Sequence, residues 1–481
     1  MTVRSPSFWK AEIEIGRRNG LKSEVGMRKW EKRNGLKSED EMRPAKCSAE
    51  PKSEFAETTP LQILNVIPFS VRNYPRYNFL HHVAAFTLLV VMSVLFEGNI
   101  SNVSAADWEK IKSLIGPRDS IMVADPGGRI IIAKHEHQKL VPASILKIFT
   151  SLGALHYMGS DHRYVTEFFI DQNSNLKIKG YGDPFLISEI VNQISHSLSG
   201  LIDSAAVIND LIVDDSYFSR PLTIPGISSS TQPYDAPNGA LCVNFNTVFF
   251  KHTQSGYTSA EAQTPLLPFA EKKIELLKPK SGRIVLSHVE KENTIYAGHL
   301  FRYFLVHHGV RLRGSVKPGL VDQSADKLIY RYVSRFTLPR IIAKLLEHSN
   351  NFTTNQLLIS CGIKKFGPPG NLEKGVAALV NFAADELHIN DMKIIEGSGI
   401  SRKNKVSANQ MLRVLAEFKS QRKLLRRQGR EYYKTGTLYG INTRAGFIAS
   451  SQGGYYRFVV MINTPGKSTK PVMRRLLRSL D

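Results

Sequence analysis

A chain of 481 residues with 42% hydrophobic content can build a sizeable core and more than one domain, and its three cysteines exclude a disulfide scaffold. The formal charge of +22 suits an anionic partner such as nucleic acid, an anionic envelope surface or a carboxylate-rich polymer. No zinc-knuckle spacing or aromatic RNP-like motif accompanies the basic residues, which sets nucleic acid aside.

Residues 1–75 do not read as a folded domain. The polar stretch RRNGLKSEVGMR from Arg17 recurs as KRNGLKSEDEMR from Lys32, and two such copies cannot stack into a solenoid. The expectation is a disordered extension, or an upstream stretch foreign to the natural product. Residues 76–105 read as an export signal. Arg72 and Arg76 supply positive charge, residues 83–96 form an apolar run, and Val103 and Ala105 stand at the minus-three and minus-one positions of a cleavage site after Ala105. The run is short for a membrane-spanning anchor, which needs about twenty apolar residues.

Beyond residue 105, strands and helices alternate. DSIMVADPGGRIIIAKH predicts a hairpin turning at residues 126–128. PASILKIFTSLGALHYMG predicts a buried helix ending near Gly159. From about Tyr164 to Gly319 the text becomes short strands broken by turns, as in LKIKGYGDPFL and GALCVNFNTVFFKH, which predicts a separate β-rich insert. Helical stripes return in LPRIIAKLLEHSNNFTTNQLLI and EKGVAALVNFAADEL. The end reads as strands, REYYKTGTLYGINTRAGFIAS and GYYRFVVMINT, and a basic helix, PVMRRLLRSLD, that packs on the sheet by its Val/Met/Leu side.

Within PASILKIFTS, Ser144 and Lys147 are three residues apart and share one face of a helix. A serine and a lysine so spaced are usually a capping residue and a solvated amine, but this lysine lies in an apolar run and burial there needs a reason. Two later motifs supply one: Ser349-Asn350-Asn351 after a helix, and Lys434-Thr435-Gly436 on a strand. Each is weak alone, since Ser and Asn also cap turns. Their order on the expected elements is far more specific. His135 and His137 stand as a pair on one strand face with no third ligand nearby, so no metal site is assigned. Cys242 and Cys361 allow one disulfide at most.

With these motifs the chain resembles the penicillin-binding serine peptidases, specifically the class C low-molecular-mass family. This is the penicillin-binding protein 4 type of D-alanyl-D-alanine carboxypeptidase/endopeptidase, peptidase family S13. GYGDPFL, VDDSYF, GALCVNFN, EGSGISRKNKVS and TLYGINTRAGFIAS are also family-like. The resemblance implies an α+β fold: a β-lactamase/transpeptidase-like domain, an antiparallel sheet flanked by helices, over 106–165 and 320–481, interrupted by the β-rich insert 166–319. It implies Ser144 as nucleophile, Lys147 as its base, Ser349 as proton relay, and Asn351 as partner of Lys147 and of the substrate amide. Ser144 and Thr437 would lend backbone N–H groups to the oxyanion, Lys434 and Thr435 would hold the terminal carboxylate, and Gly436 would admit the substrate. Asp214 would meet the amino end of the diaminopimelate side chain and Arg402 the substrate carboxylate. Peptidoglycan stem peptides are the implied substrate and β-lactam antibiotics the inhibitors, with no cofactor. The family more often has Asp at Glu396 and a small or polar residue at Tyr439. Two alternatives remain at this point: a serine β-lactamase, carrying the same motifs although no family-like deacylating glutamate motif follows Ser144, and an idle cell-wall binding protein.

Overall fold

A computed structural model describes residues 105–277 and 281–480; the duplicated stretch, the apolar run 83–96 and residues 101–104 before the expected cleavage point lie outside them. Among the described residues no helix is long and apolar enough to cross a membrane.

The centre is a six-stranded antiparallel sheet. Its spatial order is Arg426–Gln428, Glu431–Leu438, Ile441–Ala449, Tyr455–Ile462, Asp119–Ala124 and Ile130–Lys134. Asp119 pairs with Ile462 and Ala124 with Arg457, so the two ends of the domain are stitched side by side. Successive side chains of a strand point to opposite faces. Ile121, Val123, Phe458, Val460 and Ile462 face one core with the helices Ala105–Lys112 and Lys470–Ser479. Met122, Ala124, Val459 and Met461 face the larger helical core. Burial on both faces explains why these strands are continuous apolar runs rather than alternating ones. The final helix buries Val472, Met473 and Leu476, the side expected from its sequence.

The helix Leu146–Met158 lies inside the larger core, with Leu146, Ile148, Phe149, Gly153 and Ala154 buried around it. The helices Leu338–His348, Asn351–Phe366, Leu372–Asp385 and Ala408–Glu417 complete that layer. The intervening segment has its own core. A five-stranded mixed sheet runs in the order Val316–Pro318, Leu211–Asp214, Leu176–Gly180, Val165–Ile170, Lys327–Val333, beside a three-stranded sheet built on Thr247–Thr253. The insert is α+β rather than simply β-rich: Ser188–Ser199, Pro268–Leu277 and Glu292–His307 all supply its core. Glu292–His307 buries Tyr296, Ala297, Leu300, Phe301 and Phe304 on one face, while Tyr303 and Val306 stand exposed away from it and blur the apolar stripe.

Candidate active site

The segment before Ser144 makes a turn that no local preference announces. Ala143 is left-handed at φ +49°, a conformation costly for a residue with a Cβ unless its surroundings impose it. They do. Thr443 Oγ1 donates to the Pro142 carbonyl at 2.7 Å. The Asn463 side-chain amide brackets Val141, accepting from its N–H and donating to its carbonyl. Gly399 lies so close that a Cβ there would sit 1.9 Å from the Ala143 carbonyl oxygen. Ser144 therefore sits in the short 3-10 turn Ala143–Ile145, and Lys147 in the first turn of the following helix.

Lys147 is completely buried. Its Nζ lies 3.0 Å from Ser144 Oγ, 2.8 Å from Asn351 Oδ1 and 2.6 Å from the Ser398 carbonyl. The amide of Asn351 is oriented by its Nδ2, which donates to the Tyr234 carbonyl at 3.2 Å. Two of the three partners of Lys147 can thus only accept. A neutral amine has two hydrogens and one lone pair. With the hydrogens on Asn351 and Ser398, the lone pair is directed at the Ser144 hydroxyl. Burial, and next the charge of Lys434, hold Lys147 well below the ordinary lysine range, against an upward pull from Glu396.

Ser349 closes the helix Leu338–His348 in a left-handed conformation, and Asn350 caps the next helix by accepting from Thr353 N–H. This corner sets Ser349 and Asn351 on either side of the cap. Lys434 Nζ donates to Ser349 Oγ at 2.8 Å and to the Thr435 carbonyl at 2.9 Å, and burial brings its pKa down to about 7. Gly436 is pressed against the nucleophile turn: a Cβ would lie 2.7 Å from the Ser144 nitrogen and 2.4 Å from Thr443 Oγ1. The short strand Arg426–Gln428 pairs only with Glu431–Tyr433. From Lys434 onward the outer edge of the strand has no partner strand among the described residues, and Thr435 and Thr437 are exposed on it. An open strand edge is a site where an extended peptide can add.

Of the residues singled out from the sequence, Ser144, Lys147 and Asn351 form one hydrogen-bonded set and Lys434 with Ser349 another; the charge of Lys434 reaches Lys147, Gly436 backs the Ser144 turn, and Thr435 and Thr437 lie on the adjoining edge. Arg402 is exposed and donates to the Tyr439 carbonyl at 2.5 Å, next to the end of the same strand. Asp214 makes its contacts within the insert. It ends a strand of the insert, nearly fully buried, accepting from Ser216 N–H and Val321 N–H and pairing with Lys179 at 3.5 Å. These are the contacts of a turn-capping carboxylate. His135 hydrogen-bonds the Asp119 carbonyl. Cys242 and Cys361 are buried free thiols. Two contributors escaped the sequence reading: the carbonyl of Ser398 and the insert loop carrying Tyr234. The small residues of EGSG hinted at tight packing for the first; nothing local marked the second.

Comparison with known proteins places this arrangement. Penicillin binding protein 4 from Haemophilus influenzae superposes with a TM-score of 0.64 at 19% identity, covering 78% of this chain and 98% of that one. The fold is therefore that of the penicillin-binding proteins. The model of the D-Ala-D-Ala carboxypeptidase 3 (S13) family matches residues 109–278 and 276–428, and the chain belongs to that family. A D-alanyl-D-alanine carboxypeptidase of Actinomadura sp. (strain R39) is 25% identical over 356 residues, spanning 63% of this chain and 65% of that protein. The D-alanyl-D-alanine carboxypeptidase DacB of H. influenzae is 22% identical over 397 residues, 67% of this chain and 80% of the other.

Proposed function

We propose that the chain is a serine-type D-Ala-D-Ala carboxypeptidase, with endopeptidase action on the same stem peptides of peptidoglycan, working through an acyl-enzyme on Ser144. The observation that carries this reading is the buried Lys147 Nζ, 3.0 Å from Ser144 Oγ with two obligate acceptors on its other sides, which in the neutral amine leave the lone pair for the Ser144 hydroxyl. Lys147 takes the hydroxyl proton as Ser144 attacks the carbonyl of the penultimate D-alanine. The N–H groups of Ser144 and Thr437 stabilise the oxyanion, each such donor contributing about 3 kcal/mol where charge develops. Ser349, bridged to Lys434, passes a proton to the leaving amine. Lys434 and Thr435 hold the free carboxylate, Asn351 the substrate amide. Water then releases the acyl group. A β-lactam presents a carboxylate and a strained amide to the same groups and leaves a slowly hydrolysed ester.

Residues 76–105 act as the export signal that brings the enzyme to the periplasmic side. A basic face formed by Arg426, Lys470, Arg474, Arg475 and Arg478, all exposed, holds it peripherally on an anionic envelope surface; co-sedimentation with anionic vesicles that disappears in high salt tests this. The enzymatic reading is tested by incubating the exported form with labelled penicillin and mapping the adduct, with Ser144→Ala as control. A stable adduct on Ser144 together with D-alanine release from a pentapeptide supports the peptidase. Rapid penicillin turnover without peptidase activity identifies a β-lactamase instead, and no adduct anywhere leaves only a binding role.

A further inference from the structure

Behind the catalytic cluster lies a second, wholly buried ionisable group that the reaction scheme above does not use. Glu396 has no solvent exposure, and six donors converge on its carboxyl. Oε1 accepts from Gly399 N–H at 2.7 Å, Asn404 Nδ2 at 2.7 Å and Ser401 N–H at 3.3 Å. Oε2 accepts from Ser398 N–H at 2.7 Å, Ser398 Oγ at 2.7 Å and Asn355 Nδ2 at 3.2 Å. Five of the six are N–H groups that can only donate, so both oxygens act as acceptors. Burying a carboxylate without a paired cation is costly, and such groups persist where they fix something else.

What is fixed here is the chain between residues 397 and 401. Gly397 is held from both sides, its N–H on Asn355 Oδ1 at 2.8 Å and its carbonyl on Thr150 Oγ1 at 2.7 Å. The next carbonyl, that of Ser398, is thereby delivered to Lys147 Nζ, and the next residue, Gly399, backs the strained Ala143 turn. One carboxylate thus ties together the two supports of the nucleophile–base pair.

We propose that Glu396 is a positioning residue for the reaction: it clamps the 396–404 loop so that the Ser398 carbonyl takes one hydrogen of Lys147 and leaves the amine lone pair on Ser144. This rests on the reading of Lys147 as the base. The charges facing Lys147 are Lys434, from the neighbouring strand, and Glu396 itself; the helix Asn351–Phe366 presents only the amides of Asn351 and Asn355. The carboxylate therefore has two separable effects. Its geometry places an acceptor, and its charge favours the ammonium form of Lys147.

The test is the rate of Ser144 acylation by labelled penicillin as a function of pH, with a thermal melt on every variant. Glu396→Gln keeps the size but turns an NH2 group towards converging donors. The expectation is a loss of about ten- to hundred-fold in acylation rate, since a shift near 1 Å at such a site costs that much, with the acid limb displaced to lower pH. Glu396→Asp keeps the charge and both acceptors on a shorter stem; its acid limb stays in place while the rate falls severalfold per folded molecule. Rates that follow only the folded fraction, with limbs unmoved in both variants, overturn the proposal. If Glu396→Gln does not fold, a wild-type rate in Glu396→Asp overturns it alone. Failure of the wild-type protein to form a Ser144 adduct is a different result, which removes the acyl-enzyme reading first.

Discussion

Replacing Gly436 by alanine adds one methyl group at the point where the substrate strand meets the nucleophile. The new Cβ would lie 2.4 Å from Thr443 Oγ1, 2.7 Å from the Ser144 nitrogen and 3.0 Å from the Ala143 Cβ. Carbon contacts relax only near 3.5–4.0 Å, so the turn carrying Ser144 must retreat by roughly 1 Å or the strand must bow outward by a similar amount. Neither side yields easily. Thr443 is committed to the Pro142 carbonyl, and Gly436 is held in register opposite Thr443 in the sheet. Overpacking of this kind costs about 1–3 kcal/mol of stability. On the proposed mechanism catalysis suffers more, because the displaced nitrogen is the proposed oxyanion donor and the displaced hydroxyl the proposed nucleophile. A misplacement near 1 Å costs about 100-fold in rate, and a weakened oxyanion donor adds to it. Acylation by a fluorescent penicillin, followed in rapid mixing at saturating and limiting concentrations, gives the rate constant; a thermal melt gives the stability. An alanine variant acylated within about threefold of wild type refutes the claim that this close approach sets the geometry of Ser144.

Lys434 has a pKa of about 7 through burial, yet it must be cationic to hold a carboxylate. Binding above that pH must therefore take up a proton. Titration calorimetry of a non-acylating Ser144→Ala variant with a D-Ala-D-Ala peptide, repeated at pH 8 in buffers of different ionisation enthalpy, should show net uptake, and Lys434→Arg should abolish it. The same depressed pKa makes stability rise with pH from about 7 towards the ordinary lysine value of 10.5, because only the unfolded chain holds the proton there; denaturant melts of wild type and Lys434→Met across that window check the sign. Asp214→Ala should lower stability by about 3 kcal/mol, since it strands the buried Val321 N–H together with Lys179 and frees the Ser216 N–H, without slowing acylation of the folded protein. A slowed reaction on a protein of unchanged stability would instead restore a substrate contact for Asp214. Arg402→Ala removes one bond to the Tyr439 carbonyl; the melt should move by less than about 0.5 kcal/mol, whereas KM for the peptide should rise if the guanidinium meets the substrate carboxylate.

The order of three short motifs carried most of the site. Each residue type was demanded by a chemical task, and Ser144, Lys147, Ser349, Asn351 and Lys434 meet in one cluster. What the sequence did not disclose were contributions made by backbone. The Ser398 carbonyl has no side-chain signature, and the left-handed Ala143 is imposed by Thr443, Asn463 and Gly399 from distant segments. In the fold, the hairpin after Asp119 and the basic terminal helix were legible from alternation and apolar spacing. The strand Lys327–Val333 was not, because its partner Val165–Ile170 lies far upstream and its exposed residues, Lys327, Leu328, Arg331 and Val333, mix charged and aliphatic side chains. The helix Glu292–His307 was missed because exposed Tyr303 and Val306 add apolar residues away from its buried face and mask the period.

The pairing of Asp119–Ala124 with Tyr455–Ile462 also governs when activity can arise. Ser144 and Lys147 leave the ribosome early, but the sheet that supports their turn is completed only when the strand ending at Ile462 arrives. Contacts this distant in sequence form late and slowly. On the proposed mechanism, a chain that stops before Ile462 holds Ser144 and Lys147 in a turn whose supporting sheet is unfinished, and one that stops before Lys434 also lacks the amine proposed to hold the substrate carboxylate. On that reading, activity requires the sheet to be complete, and truncated products are expected to be inert towards the proposed substrate.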